Sequence, residues 1–514
     1  MTDEIRAPSN AEPWRFARDF FVIAILILPF LVALGMMRGL NHDEHQHVAA
    51  GALFAREGLL PYRDFPHFHT PYLVFIYGLL FKASDHLMLA ARALSVACAA
   101  GSIALVGAVT AHLFRPRGAG FAMLAAFGAV MLMLSASVFT RTEGRAWNHE
   151  PALFLSLAAF LAHAVGVKRA HGGWIFAGAV LLGLAIGVRI TCAPLLAPFG
   201  LALLFLVEGN VAKKTALIGW SAAGFAVSLA GFAWLAALAP EQAWFGNFEF
   251  AKVNITFRYA TGLPRTMTLP TKLRYLYKEI IRDDLGLLTT FVVLLATAIG
   301  LRRARDTPLP MELIFLLFTL PFVLFGAFAP SPVFEQYFYP FVFFLVLGAA
   351  WSLASLPHDS RWFRAAAVIA GAAVIFSVGR GAAAYRDLPG LFTPRKWTPM
   401  EAHDEGARLR TLPTPGRILT LAPIPVLEAG RAIYPEFATG PFAWRISPFV
   451  EPGKAARLKI PTSETLNALL ETHPPAAFLL GIEKKGEEAF VQYAKEHGYR
   501  VVPPADGDEL WVRP

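Results

Sequence analysis

The chain has 514 residues, of which 56% are hydrophobic and only 16% charged, with a mean hydropathy of +0.49. Soluble enzymes carry about 25% charged residues, so this composition is that of a membrane protein. Lys and Arg number 46 against 37 Asp and Glu, a net charge of +9. Residues 385–514 hold 16 basic and 16 acidic side chains, so the whole surplus lies in the apolar part. There it reads as a topology signal and not as a nucleic-acid surface. Cys98 and Cys192 both sit in apolar runs and define no disulfide framework.

Apolar runs of spanning length fall near 20–40, 93–114, 119–139, 151–167, 174–190, 193–207, 215–239, 285–301, 311–329, 338–356 and 364–384, about eleven helices. The first is preceded by Glu12, Arg15, Arg18 and Asp19 and has no small-residue cleavage site, which predicts a retained helix and not a signal peptide. The run 71–84 is only ~14 residues long, short of the ~20 that a bilayer requires. If it does not span and the N-terminus is cytoplasmic, the basic segments 115–117, 168–169, 213–214 and 302–305, with Arg361 and Arg364, all fall inside. The run is therefore expected to be a re-entrant or interfacial helix on the outer face.

The same parity places loops 41–92, 140–150 and 240–284 outside, together with 385–514. Within that tail, 417–422, 476–481, 499–502 and 509–513 read as strands and 483–497 as a helix. The expected fold is an α-helical polytopic membrane domain, residues 1–384, followed by a small extracytoplasmic α/β domain, residues 385–514.

The first outer loop is the most unusual stretch, GLNHDEHQHVAAGALFAREGLLPYRDFPHFHTPY. It opens on adjacent carboxylates, Asp43 and Glu44, among His42, His45 and His47, and continues to Asp64, His67 and His69. Acidic groups beside the bilayer are costly to bury and tend to be functional. The plain alternative is a hydrated loop. His and carboxylate at short spacing also bind zinc or manganese, but His42, His45 and His47 lack the i, i+4 placement that sets two ligands on one helix face. No metal ligand set is assigned.

The order of acidic pair, GLLPYRDF, HFHTPY and a short apolar helix resembles the first outer loop of the GT-C superfamily, polytopic glycosyltransferases of the protein O-mannosyltransferase and aminoarabinose transferase types. The family pattern is close to DFF-x-H-x-PP-x-YY. Here Pro66 and Thr70 stand at more usual residues' places, and of the proline pair Pro71 remains. RTEGRAWNHEP (141–151) resembles the second outer loop, where the family has a carboxylate before a helix, and both Glu143 and Glu150 compete for that role. GLAIGVRITCAP (183–194) is similar to the segment with a family Lys or Arg, matching Arg189. FEQYFYPFVFFL (334–345) is similar to a Tyr-x-x-Pro helix opening, matching Tyr337. The resemblance covers most of 20–356 and does not reach 385–514.

What the resemblance implies is sugar transfer from a polyprenyl-phosphate donor to a lipid, glycan or protein acceptor outside the cytoplasm, at the inner membrane of a bacterium and among membrane lipids. Residue chemistry points the same way. Asp43 is the candidate base for an acceptor hydroxyl, with Glu44 as second catalytic carboxylate to orient the acceptor or bind a metal. Glu143 or Glu150, with Asp64, His67 and His69, are acceptor-side candidates. A direct inverting displacement needs no covalent enzyme intermediate. The phosphate leaving group calls for preorganised cations, for which Arg189, Lys252 and Arg258 are candidates with Tyr337. Arg265 belongs to the same loop. A lone helix-end Arg also snorkels to the interface, and Arg beside aromatics also anchors headgroups. A divalent cation, magnesium or manganese, is left open as a cofactor. Neither GxGxxG after a strand nor a Walker motif occurs, which favours a lipid-linked donor over a nucleotide sugar.

The competing class is a transporter or lipid-handling protein that binds an ion or substrate at its outer face. Transporters place ionisable groups near the midplane and show repeated halves. Here the charges gather at outer helix ends and no halves match, which favours the enzyme.

Overall fold

A computed structural model describes residues 11–263, 266–282, 290, 309–481, 486–502 and 509–514. The predicted span at 285–301, and Arg265, lie outside the described residues. Seven helices among them are long and apolar enough to cross a membrane: Pro13–Met37, Leu87–Arg117, His149–Arg169, Val211–Leu238, Met311–Phe328, Glu335–Ala354 and Arg361–Tyr385. Three shorter apolar helices, Ala119–Ser135, Gly172–Val188 and Ile190–Phe205, match the remaining predicted spans.

The helices that position the site are α1 (Ala11–Met37), α2 (His42–Glu57), α3 (Tyr72–Ala83), α4 (Leu87–Phe114), α5 (Ala119–Ser135), α6 (Ser137–Thr142), α7 (His149–Arg169) and α8 (Gly172–Val188). Contacts sort their ends. Arg115 pairs with Asp19, and Arg117 donates to the carbonyls of Ala354 and Leu356 at 2.8 and 2.6 Å. Lys168 pairs with Glu312 at 2.7 Å. These basic side chains, predicted to lie inside, cap and brace helix ends opposite those that carry Asp43, Arg92 and Glu150.

The 12-residue α3 buries Tyr72, Leu73, Val74, Tyr77, Gly78 and Phe81. At 1.5 Å per residue it is about 18 Å long, too short to span. It packs against α2, which is no hydrated loop: ten of its 16 residues are buried. The helices of spanning length leave large apolar side chains exposed, among them Phe21, Ile25, Val227, Trp234, Val368 and Ile375.

At the C-terminus, β1 (Ile418–Leu419), β2 (Ala477–Leu480), β3 (Arg500–Val502) and β4 (Glu509–Val512) form one sheet in the order β1-β2-β4-β3. The first pair is parallel and the other two are antiparallel. Each strand falls inside a predicted one, and β2 is buried throughout. This part docks on α2 and α4 through buried polar bonds. Ile424 N–H donates to His45 Nδ1 at 3.3 Å, and Met88 N–H donates to the buried Glu428 at 2.7 Å.

Candidate functional site

Asn41 breaks the chain between α1 and α2. Its backbone is extended, its Oδ1 accepts from Asp43 N–H at 2.9 Å, and Glu44 Oε2 accepts from Asn41 N–H at 2.9 Å. This capping box places two carboxylates at a helix N-terminus, where the helix dipole favours them. The pair then diverges. Glu44 is fully buried against Arg92, which donates to its two oxygens at 2.9 and 2.8 Å, while Ala146 N–H adds a third donor at 2.7 Å. Asp43 stays 30% exposed, with His42 Nε2 at 3.5 Å. Arg145, Arg189, Arg258 and Tyr337 all lie within electrostatic reach of it.

Arg189 ends α8 and leaves the helix with extended backbone. It donates to Asn148 Oδ1 at 2.6 Å and to Thr191 Oγ1 at 2.9 Å, and meets His149 Nε2 at 3.3 Å. Its guanidinium lies 5.1 Å from the centre of the Tyr337 ring, which stacks on His149. Among the described residues no carboxylate pairs with Arg189 within 4.0 Å. Arg258, on the helix Phe250–Ala260, sits 5.2 Å over Phe334, and its buried Nε has no partner there. Neutral partners thus hold Arg189 and an aromatic ring lies under Arg258, and among the described residues neither has a carboxylate within 4.0 Å, an arrangement suited to an anion.

Near Arg189 lie the buried His47, His67 and His149 and the half-buried His69. The His47 and His69 rings are 4.8 Å apart, and those of His67 and His69 6.2 Å. Burial pushes His47 down to about 3 and His67 to about 4, and holds His69 well below its ordinary range, with neighbouring charges adding to the shift for His47 and His69. His47, His67 and His69 are thereby uncharged at neutral pH.

Glu143 and Glu150 are both fully buried, and none of their four oxygens has a hydrogen-bond partner among the described residues. Burial raises Glu143 to about 8, against the opposing pull of Arg38 and Arg92. Gly144 explains the depth. Its φ is +81°, and a Cβ there would stand 2.2 Å from the Cα of Gly35 on α1, so backbone touches backbone and drives the second loop inward.

Other predicted residues lie apart. Asp64 pairs with Arg63 at 2.6 Å and accepts from Leu60 N–H at 2.7 Å, its bonds kept within its own turn. Lys252 is exposed on the helix that carries Arg258. Arg92, Arg145, Asn148 and His149 belong to the site and escaped the sequence reading. Arg92 had a visible signal, a lone charge in the apolar run LMLAARALSVACAAG. Among the described residues no three His, Cys, Asp or Glu side chains gather as a metal group.

No protein-family model matches the sequence, nor does any curated protein. Solved structures do match in fold. The chain is similar to ArnT from Cupriavidus metallidurans bound to undecaprenyl phosphate, with TM-score 0.57 and 13% identity over 98% of both chains. It is also similar to the oligosaccharyltransferase AglB of Archaeoglobus fulgidus. In complex with an inhibitory peptide and a dolichol-phosphate, that protein gives TM-score 0.51 and 11% identity, over 98% of this chain and 75% of that one. With zinc and sulfate it gives TM-score 0.51 and 13% identity, over 96% and 73%. The chain shares the overall fold of these two proteins.

Proposed function

We propose that the chain is an inverting glycosyltransferase that moves a sugar from a polyprenyl-phosphate donor to a lipid, glycan or protein acceptor on the outer side of a bacterial inner membrane. The observation that carries this is a half-open Asp43 within electrostatic reach of Arg189 and Arg258, two cations with no carboxylate within 4.0 Å among the described residues. The acceptor hydroxyl gives its proton to Asp43 while its oxygen bonds to the anomeric carbon. The carbon–oxygen bond to phosphate breaks, and the polyprenyl phosphate leaves with its charge held by Arg189, Arg258 and the Tyr337 hydroxyl. Undecaprenyl phosphate on ArnT and dolichol-phosphate on AglB support a lipid phosphate in this fold. Zinc on AglB is a property of that protein, and no step here passes through a cation.

Three side chains of the C-terminal part lie against the first and third outer loops, which makes that part the acceptor side in this reading. The Phe442 ring lies 5.6 Å from that of His42, Arg445 donates to Asn254 at 3.1 Å, and Lys454 pairs with Glu249 at 2.5 Å. In nanodiscs given undecaprenyl-phosphate-linked sugars and envelope extract, the protein should release undecaprenyl phosphate with inversion at the anomeric carbon. Retention would contradict the single displacement.

A further inference from the structure

We infer that Arg92 is the positioning residue that holds Asp43 on line with the phosphate cations, an assignment that rests on Asp43 as the base. A guanidinium has five N–H donors, and all five of Arg92 are used. Nε and Nη2 donate to Glu44 at 2.9 and 2.8 Å, Nη1 to the carbonyls of Gly35 and Arg38 at 2.8 and 2.6 Å, and Nη2 to that of Gly39 at 3.3 Å. The three carbonyls close the C-terminal end of α1, where backbone acceptors lack helical partners and a cation is favoured. Glu44 is equally saturated, with Asn41 N–H and Ala146 N–H completing its shell.

From one position on α4, this fully buried side chain, with Glu44, fastens three stretches of backbone, two of them consecutive and the third about 100 residues further on. They are the end of α1, the start of α2 one residue beyond Asp43, and the second loop at Ala146, next to Arg145. Residues 148 and 149 of that loop hold Arg189. The network therefore sets the distance between the base and the cation. A buried ion pair contributes little net stability compared with an apolar pair of the same volume. Its use here is to fix geometry, and a misplacement of about 1 Å at a reacting centre lowers a rate about 100-fold.

The test compares Arg92→Met, Arg92→Lys and the double variant Arg92→Met/Glu44→Met in nanodiscs. Thermal unfolding, binding of undecaprenyl phosphate, and kcat and KM for its release from undecaprenyl-phosphate-linked sugars are measured. Arg92→Met leaves Glu44 buried and unpaired and is expected to unfold early. The double variant removes both charges and should recover stability. Arg92→Lys keeps the charge and loses the fork. In both folded variants kcat should fall, about 100-fold in the double and less in Arg92→Lys, with undecaprenyl phosphate bound within about threefold of wild type. Wild-type kcat in either folded variant would overturn the assignment, as would a loss confined to binding. Asp43→Asn separates the two claims. If it retains turnover, the base assignment fails; if it is inactive while the double variant runs at the wild-type rate, only the role of Arg92 fails.

Discussion

The Arg189 guanidinium rests 5.1 Å from the Tyr337 ring with Asn148, Thr191 and His149 as its polar partners and no carboxylate among the described residues. A half-buried cation in neutral company is stabilised when an anion arrives. Arg189→Met should weaken undecaprenyl phosphate binding by about 1.5–3 kcal/mol, the worth of hydrogen bonds to a charged group, or about 10- to 100-fold in Kd. Arg189→Lys should fall between, since it keeps charge and loses the planar fork and ring contact. Titration in nanodiscs checks this, and unchanged binding would remove Arg189 from the phosphate site.

Gly144→Ala should lower the unfolding temperature. Its φ of +81° costs a side-chain residue about 1–3 kcal/mol, and the added Cβ would meet the Cα of Gly35 at 2.2 Å. Because Glu143 and Arg145 flank the position, activity should drop as well. An unchanged unfolding temperature would show that α1 and the second loop are not in contact.

Stability should fall at both ends of the pH range, for separate reasons. Glu143 rises from its ordinary 4.5 to about 8 on folding, so its contribution is present below about pH 4.5 and is lost as pH climbs toward 8. His47 and His67 fall from 6.5 to about 3 and about 4, so their contribution is present above pH 6.5 and is lost as pH drops toward those values. Glu143→Gln should flatten the alkaline limb and leave the acid limb as it is. Thermal unfolding from pH 4 to 9 decides this, and an unaltered alkaline limb in Glu143→Gln would show that another group causes it.

Much of this arrangement was legible in the sequence because apolar runs of bilayer length and a polar outer loop are composition signals. Asp43, Arg189 and Tyr337 were legible from loop order, from a lone helix-end Arg and from Tyr-x-x-Pro. The division of labour inside each cluster was not. Successive helix residues point about 100° apart, so which of Asp43 and Glu44 turns inward depends on Arg92, 48 residues away. Lys252 and Arg258 are six such steps apart, about 240° round the same helix, and one is exposed while the other lies over Phe334. Glu143 and Glu150 competed for one role and are buried together, since the Gly35–Gly144 contact that sinks Glu143 joins residues 109 apart.

Phe442→Leu should raise KM for the acceptor about tenfold while leaving undecaprenyl phosphate binding within about twofold, because it removes the ring beside His42 and keeps most of the bulk. Steady-state rates with varied envelope acceptor measure this. Equal acceptor KM in both proteins would detach residues 385–514 from acceptor docking.

Asp43→Asn tests the central chemistry most directly, since it removes the base and keeps the shape. In nanodiscs it should bind undecaprenyl phosphate like wild type and release none from undecaprenyl-phosphate-linked sugars in the presence of envelope extract. Release at the wild-type rate would contradict Asp43 as the base.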